Sequence, residues 1–255
     1  MKQPKCILTS CILILITLAI VCHIPTQVIA DSSSLQRAKI LFIEGNWLQA
    51  AQLAKKDASA EGLAFSSQIT SYYGRFVAQK KDKQLFFAHA MELAEEAVRI
   101  NPNNSFAHLQ YAHAMGRFSQ SVGILKAISE GYADRILEST KKAITLDPNS
   151  AKAYMLLGNW HAEIINSAGF MGRIIYGADE TEALASYEKA IGLDPNNFLL
   201  LFEHAGGLIK LDKEEYSDLA QKQLRKILNN KPKSVLEKII KERAEKTLSE
   251  LLSQN

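Results

Sequence analysis

The chain has 255 residues, 47% hydrophobic and 22% charged, with a formal charge of +3. That balance excludes both a disordered, highly charged polymer and the strongly basic footprint of a general nucleic-acid binder. Sparse glycine (13) and proline (6) exclude a collagen-like or low-complexity chain, and the length is enough to bury a full hydrophobic core.

The N-terminus carries Lys2 and Lys5, then an uncharged stretch from Cys6 through Val21 that is rich in Ile and Leu. Pro25 interrupts it, and Val28-Ile29-Ala30 ends on a small residue. This order predicts a secretory signal peptide over residues 1–30, cleaved after Ala30. The rival reading is an uncleaved anchor, because the apolar run is near the lower limit for spanning a bilayer. Cys22 follows Ile20-Val21 rather than a small residue, which argues against a lipoprotein. All three cysteines (Cys6, Cys11, Cys22) precede Ala30, so the mature chain is expected to have no disulfide. An exported chain held by packing alone suits a bacterial periplasm, and that is the expected location.

From Leu35 onward the pattern is helical. Gly45-Asn46-Trp47-Leu48-Gln49-Ala50-Ala51 reads as a turn and the start of a second helix. Tyr72, Tyr73, Phe76, Phe86 and Phe87 sit on long helical stretches and are expected in the core between repeats. Three similar turns follow, Asn101-Pro102-Asn103, Asp147-Pro148-Asn149 and Asp194-Pro195-Asn196, with prolines 46 and 47 residues apart. Ala97, Ala143 and Ala190 each lie five residues before the proline, and Gly123/Gly169 and Gly131/Gly177 keep the 46-residue period. An amphipathic run precedes each proline, the proline ends it, and Asn103-Asn104-Ser105 and Asn149-Ser150 offer acceptors to cap the next helix. No segment alternates as a β-hairpin does. Residues 31–255 are therefore predicted to be one all-α repeat domain, ending after Pro232 in a Lys/Glu-rich amphipathic helix that caps the stack.

The residues inside each unit carry a family resemblance. Tyr154, Leu157, Gly158 and His161 match the first helix of a tetratricopeptide repeat; Ala183, Tyr187, Ala190 and Pro195 match the second. His108, Tyr111, Ala112, Met115, Thr140, Ala143 and Pro148 repeat the pattern one unit earlier. Both units are longer than the common 34-residue repeat by roughly 13 residues, which defines insertions at 119–132 and 166–179. The resemblance implies a right-handed α-solenoid of four to five helix pairs. With the paired insertions and the segment Tyr154–His161, the chain is similar to the periplasmic T component of tripartite (TRAP-type) transporters and to eukaryotic regulators of microtubule dynamics.

Catalytic and metal chemistry find little support. Five histidines remain beyond Ala30 (His89, His108, His113, His161, His204), none paired at i, i+4 spacing, with no HExxH and no cysteine ligand. His161-Ala162-Glu163 matches half of a deaminase signature, but the cysteine half is absent. No Gly-Lys-Ser/Thr or Gly-x-Ser-x-Gly occurs. No enzyme activity, cofactor or metal is expected. The repeat resemblance instead implies a concave groove of Phe106, Leu109 and His113, then Lys152, Met155 and Asn159, then Leu199, Phe202 and Gly206. Lys152 and Asn159 hint at the carboxylate clamp of some relatives; the rest is apolar and suits a hydrophobic peptide, an amphipathic helix or an acyl chain. The expected function is a non-catalytic exported scaffold for protein–protein interaction in envelope assembly or transport, with no nucleic-acid partner. The alternative is a periplasmic carrier of a hydrophobic small ligand accessory to a transporter.

Overall fold

The computed structural model describes residues 26–253; the first 25 residues of the predicted leader lie outside that range. Among the described residues the chain forms twelve helices and no strand: α1 (Thr26–Glu44), α2 (Trp47–Lys56), α3 (Ala60–Phe76), α4 (Lys83–Ile100), α5 (Ser105–Val122), α6 (Ile124–Ser129), α7 (Tyr132–Leu146), α8 (Ala151–Tyr176), α9 (Glu180–Leu193), α10 (Phe198–Leu211), α11 (Ser217–Leu228) and α12 (Val235–Leu252). They stack as an α-solenoid of five antiparallel pairs, with the short α6 inside the third pair and α12 after the fifth. The backbone is helical from Thr26 on, straight through the predicted cleavage point.

The proline turns separate the pairs, and their polar residues satisfy the exposed backbone ends. Asn101 Oδ1 and Asp147 Oδ1 accept from the amides of Asn103 (3.0 Å) and Asn149 (3.1 Å). Asn104 then caps α5 by accepting from Ala107 N at 2.9 Å, and Asn197 caps α10 through the amides of Leu199 and Leu200. Ser150 departs from expectation and makes no side-chain cap. Ala97, Ala143 and Ala190 are fully buried where paired helices cross. Tyr187 lies against two glycines of neighbouring helices, Gly158 and Gly207; a Cβ on Gly158 would meet its ring at 2.6 Å, and one on Gly207 would overlap it.

The insertions are mostly helical rather than glycine-rich loops. They lengthen the first helix of the third and fourth pairs, and a glycine interrupts each extension. At Gly123 (φ +89°) the chain breaks between α5 and α6. At Gly169 (φ +51°, ψ −130°) α8 kinks and then continues to Tyr176. Both conformations lie where an L side chain is disfavoured, which explains the glycine recurring at a 46-residue interval.

The largest core cluster does not follow neighbouring pairs alone. It joins Trp47 of α2 and Phe65, Ile69 and Tyr72 of α3 to Leu201 and Leu208 of α10, Leu224 and Ile227 of α11, and Ile240 and Leu248 of α12. α12, capped by Ser234, starts against the first pair: a Cβ on Gly45 would meet Val235 Cγ2 at 2.9 Å. Arg243 of the same helix donates to the carbonyls of Arg75 (3.3 Å) and Phe76 (3.1 Å) at the end of α3. The terminal helix thus binds the last pair to the first two and closes the solenoid on itself.

Candidate functional site

Closure remakes the predicted groove. Leu109, His113, Lys152, Met155, Asn159 and Leu199 do converge, but on a small cavity of about 40 Å³ that is shared with Tyr72 of α3 and Arg117 and Glu203. Phe106 and Phe202 instead pack into the core, and Gly206 lies outside the cavity lining. Met155 is 2% exposed. An extended peptide has no open path along these residues, because side chains of α3 and α10 meet across the concave side, Arg75 on Glu203 and Tyr72 in one cavity lining with Leu199.

Glu203 organises this interior. Its carboxylate pairs with Arg75, and Arg117 Nη2 lies 3.2 Å from one oxygen and 3.4 Å from the other. Asn159 Nδ2 donates to Glu203 at 3.0 Å while its Oδ1 accepts from Tyr187 Oη at 3.0 Å. Asn159 is therefore a half-buried crosslink between Glu203 and Tyr187. Burial, and then the neighbouring Arg117, push the Arg75 pKa well below its usual value; a guanidinium still keeps its proton at neutral pH. The guanidinium groups of Arg75 and Arg243 each lie 4.8 Å from the Phe76 ring centroid. Burial likewise lowers the pKa of Lys152, with Asp194 acting in the opposite sense. Lys152 has no hydrogen-bond partner among the described residues.

Beyond this cluster lies a second cavity, of about 330 Å³. Its wall is apolar, from Ile136, Leu156, Trp160 and Ile164, and its floor is the polar set Arg117, Asn159, Glu163, Glu203 and Lys210. Glu163 and Lys210 pair across the floor. Both insertions form its sides: Gly123, Ala127 and Ile128 from one, Ser167, Ala168 and Tyr176 from the other. Sequence reasoning singled out the inserted segments but not the cavity between them. The signal available was their matched 46-residue spacing, which places both extensions at the same end of adjacent helices.

Four of the five histidines beyond Ala30 make structural contacts, and His89 lies on the surface beside Glu92. His161 Nδ1 accepts from Asp179 N at 3.0 Å and its ring stands edge-on to Trp160. His108 Nε2 lies 2.9 Å from the Pro102 carbonyl, and the His113 ring is T-stacked on Tyr72. Among the described residues no group of three His, Cys, Asp or Glu side chains is placed to hold a metal. His204 packs against Tyr187 with centroids 4.9 Å apart, and its Nδ1 is buried without a partner. Burial lowers its pKa to about 4. The unfolded imidazole titrates near 6.5, so as the pH falls from 7 towards 4 the unfolded chain takes up a proton that the folded chain refuses. The folded state then loses about 3 kcal/mol from this group. Thermal midpoints measured between pH 7 and pH 4.5 are expected to fall less steeply in His204→Phe than in the parent. Equal slopes would show that His204 is not the group that titrates.

Comparison with known proteins supports this architecture. Residues 35–252 match the family model described as "Regulator of microtubule dynamics protein 1-3". The chain is 34% identical over 123 residues to regulator of microtubule dynamics protein 3 of Xenopus laevis, a stretch covering 45% of this chain and 26% of that protein. It is 30% identical over 133 residues to human regulator of microtubule dynamics protein 1, covering 48% of this chain and 42% of the human one. The matched stretches thus span less than half of either relative. A tetratricopeptide repeat protein of Thermus thermophilus superposes with a TM-score of 0.59 at 17% identity, covering 84% of this chain and 98% of that chain, which shows the shared fold. The two regulators of microtubule dynamics correct the expected location. They are animal proteins named for the dynamics of microtubules, a cytoskeletal polymer, and this overturns the reading of a bacterial periplasmic protein. The resemblance to a transporter T component gains nothing from them.

Proposed function

Because the chain belongs to the family of regulator of microtubule dynamics proteins 1-3, we propose that it is a non-catalytic regulator that binds a protein partner in the cavity between its two insertions. One observation carries this reading: the concave interior is closed by packing and by the Glu203 cluster, while the insertions flank an open cavity of about 330 Å³. An apolar wall over a few fixed polar groups is the arrangement that seats a side chain or short segment of a partner and fixes its orientation. Since relatives are named for microtubule dynamics, purified tubulin is the first probe. The chain is expected to alter the lag or rate of tubulin polymerisation, measured by turbidity. Ala168→Trp, which fills the cavity, is expected to abolish that effect with helicity and thermal midpoint retained. A parent chain without effect on polymerisation would overturn the tubulin assignment, and an equally active Ala168→Trp would remove the cavity from it.

The apolar wall favours a second reading, a hydrophobic small ligand in the same cavity. Native mass spectrometry separates the two: a bound mass of a few hundred daltons, lost in Ala168→Trp, supports the small ligand.

A further inference from the structure

We propose that the two inserted segments dock the protein on the surface of an anionic lipid bilayer. Six large apolar side chains are exposed on them: Leu125 (83%) and Ile128 (56%) on α6, and Phe170 (73%), Met171 (55%), Ile174 (61%) and Ile175 (62%) on the last turns of α8. The second four sit at helical positions i, i+1, i+4 and i+5, which share one face. Both segments border the mouth of the same cavity, α6 through Ala127 and Ile128 and α8 through Ala168 and Tyr176. A concentration of apolar surface of this kind marks a contact site.

Charge selects the occupant. Between Ser119 and Ser129 the one ionisable residue is Lys126, and between Ile164 and Ala178, tyrosine aside, it is Arg173. Neither stretch contains an acidic residue, in a chain that has 27 of them. Arg173 also pairs with Glu180, at 3.3 Å, from the exposed edge of the patch. Aliphatic and aromatic side chains with interspersed cations and no carboxylate within either segment, Glu180 standing only at the edge, fit the boundary between acyl chains and anionic headgroups. Among the described residues no helix is long and apolar enough to cross a membrane, so these segments lie on the bilayer rather than span it.

The test places the probe in the patch, so that the signal reports the inserted segments, and the patch variants separate their contribution from that of the apolar N-terminal stretch. Full-length Phe170→Trp is mixed with vesicles of phosphatidylcholine with 30% phosphatidylserine, and with vesicles of phosphatidylcholine alone. The expected result is a blue-shifted emission relative to the parent background of Trp47 and Trp160, quenched by brominated acyl chains. Adding Lys126→Glu is expected to weaken this partitioning about tenfold. Adding Ile174→Ser and Leu125→Ser is expected to abolish it with circular dichroism unchanged. Emission unmoved by either vesicle would overturn the proposal. So would a blue shift that grows with protein concentration in the absence of lipid and tracks a dimer in light scattering, since the face would then be covered by a second copy. Equal partitioning onto neutral and anionic vesicles would overturn the anionic requirement.

Discussion

Glu203→Gln lowers the thermal midpoint by about 6–12 °C. The carboxylate is the shared acceptor for Arg75 and Arg117, whose side chains are 17% and 18% exposed. Glutamine keeps the shape and one acceptor oxygen but leaves two guanidinium groups with no anion between them. Removing one partner of a buried ion pair costs about 3–5 kcal/mol, because the remaining charge is stranded away from water. At the lower end, and with about 2–4 °C per kcal/mol for a chain of this size, the stated shift follows. The decisive measurement is a double-mutant cycle by urea unfolding. Arg117→Gln alone also destabilises, and the Glu203→Gln/Arg117→Gln pair loses less than the sum of the two, because one stranded charge is gone. Strictly additive losses would show that the two side chains do not act as a unit.

Ending the chain after Pro232 abolishes cooperative unfolding altogether. α12 buries Leu236, Ile240, Leu248 and Leu251, each at most 9% exposed. At about 1.5–3 kcal/mol for each large apolar side chain, their loss is worth roughly 6–12 kcal/mol. That equals the whole stability of a typical domain, about 5–15 kcal/mol. The truncation also uncovers the shared core around Trp47, Tyr72 and Leu201 and removes the Arg243 bonds to the end of α3. The expected product binds a hydrophobic dye and melts without a sharp transition. A truncated chain with a sharp melt only a few degrees lower would mean that the pairs are stable without closure.

The repeat architecture was legible because its signals are local. Each Asx-Pro turn ends one helix and prepares the next, and each small residue at Ala97, Ala143 and Ala190 marks a crossing that a larger side chain could not make. The 46-residue interval showed the insertions for the same reason. What escaped is non-local. Nothing in the spacing of Arg75, Arg117 and Glu203, which are separated by up to 128 positions, shows that they meet. Their meeting depends on the superhelical turn accumulated over five pairs, which no single pair reveals. The groove residues follow from the geometry of an open solenoid, whereas in this chain six of them line one small cavity shared with α3. The location was misread because a leader-like stretch and the absence of later cysteines are features of composition, and composition does not distinguish one membrane-bounded lineage from another.

A solenoid with two free ends gains or loses a unit at little cost, since each unit touches only its neighbours. In this chain α12 requires the first pair at one fixed rotation from the fifth. An added or deleted pair would carry Gly45 away from Val235 and Phe76 away from Arg243, and the junction would not form. Insertion or removal of a whole pair is therefore expected to cost this chain the stability that the α12 junction supplies. Lengthening a helix outward, as α5 and α8 are lengthened, leaves that junction untouched.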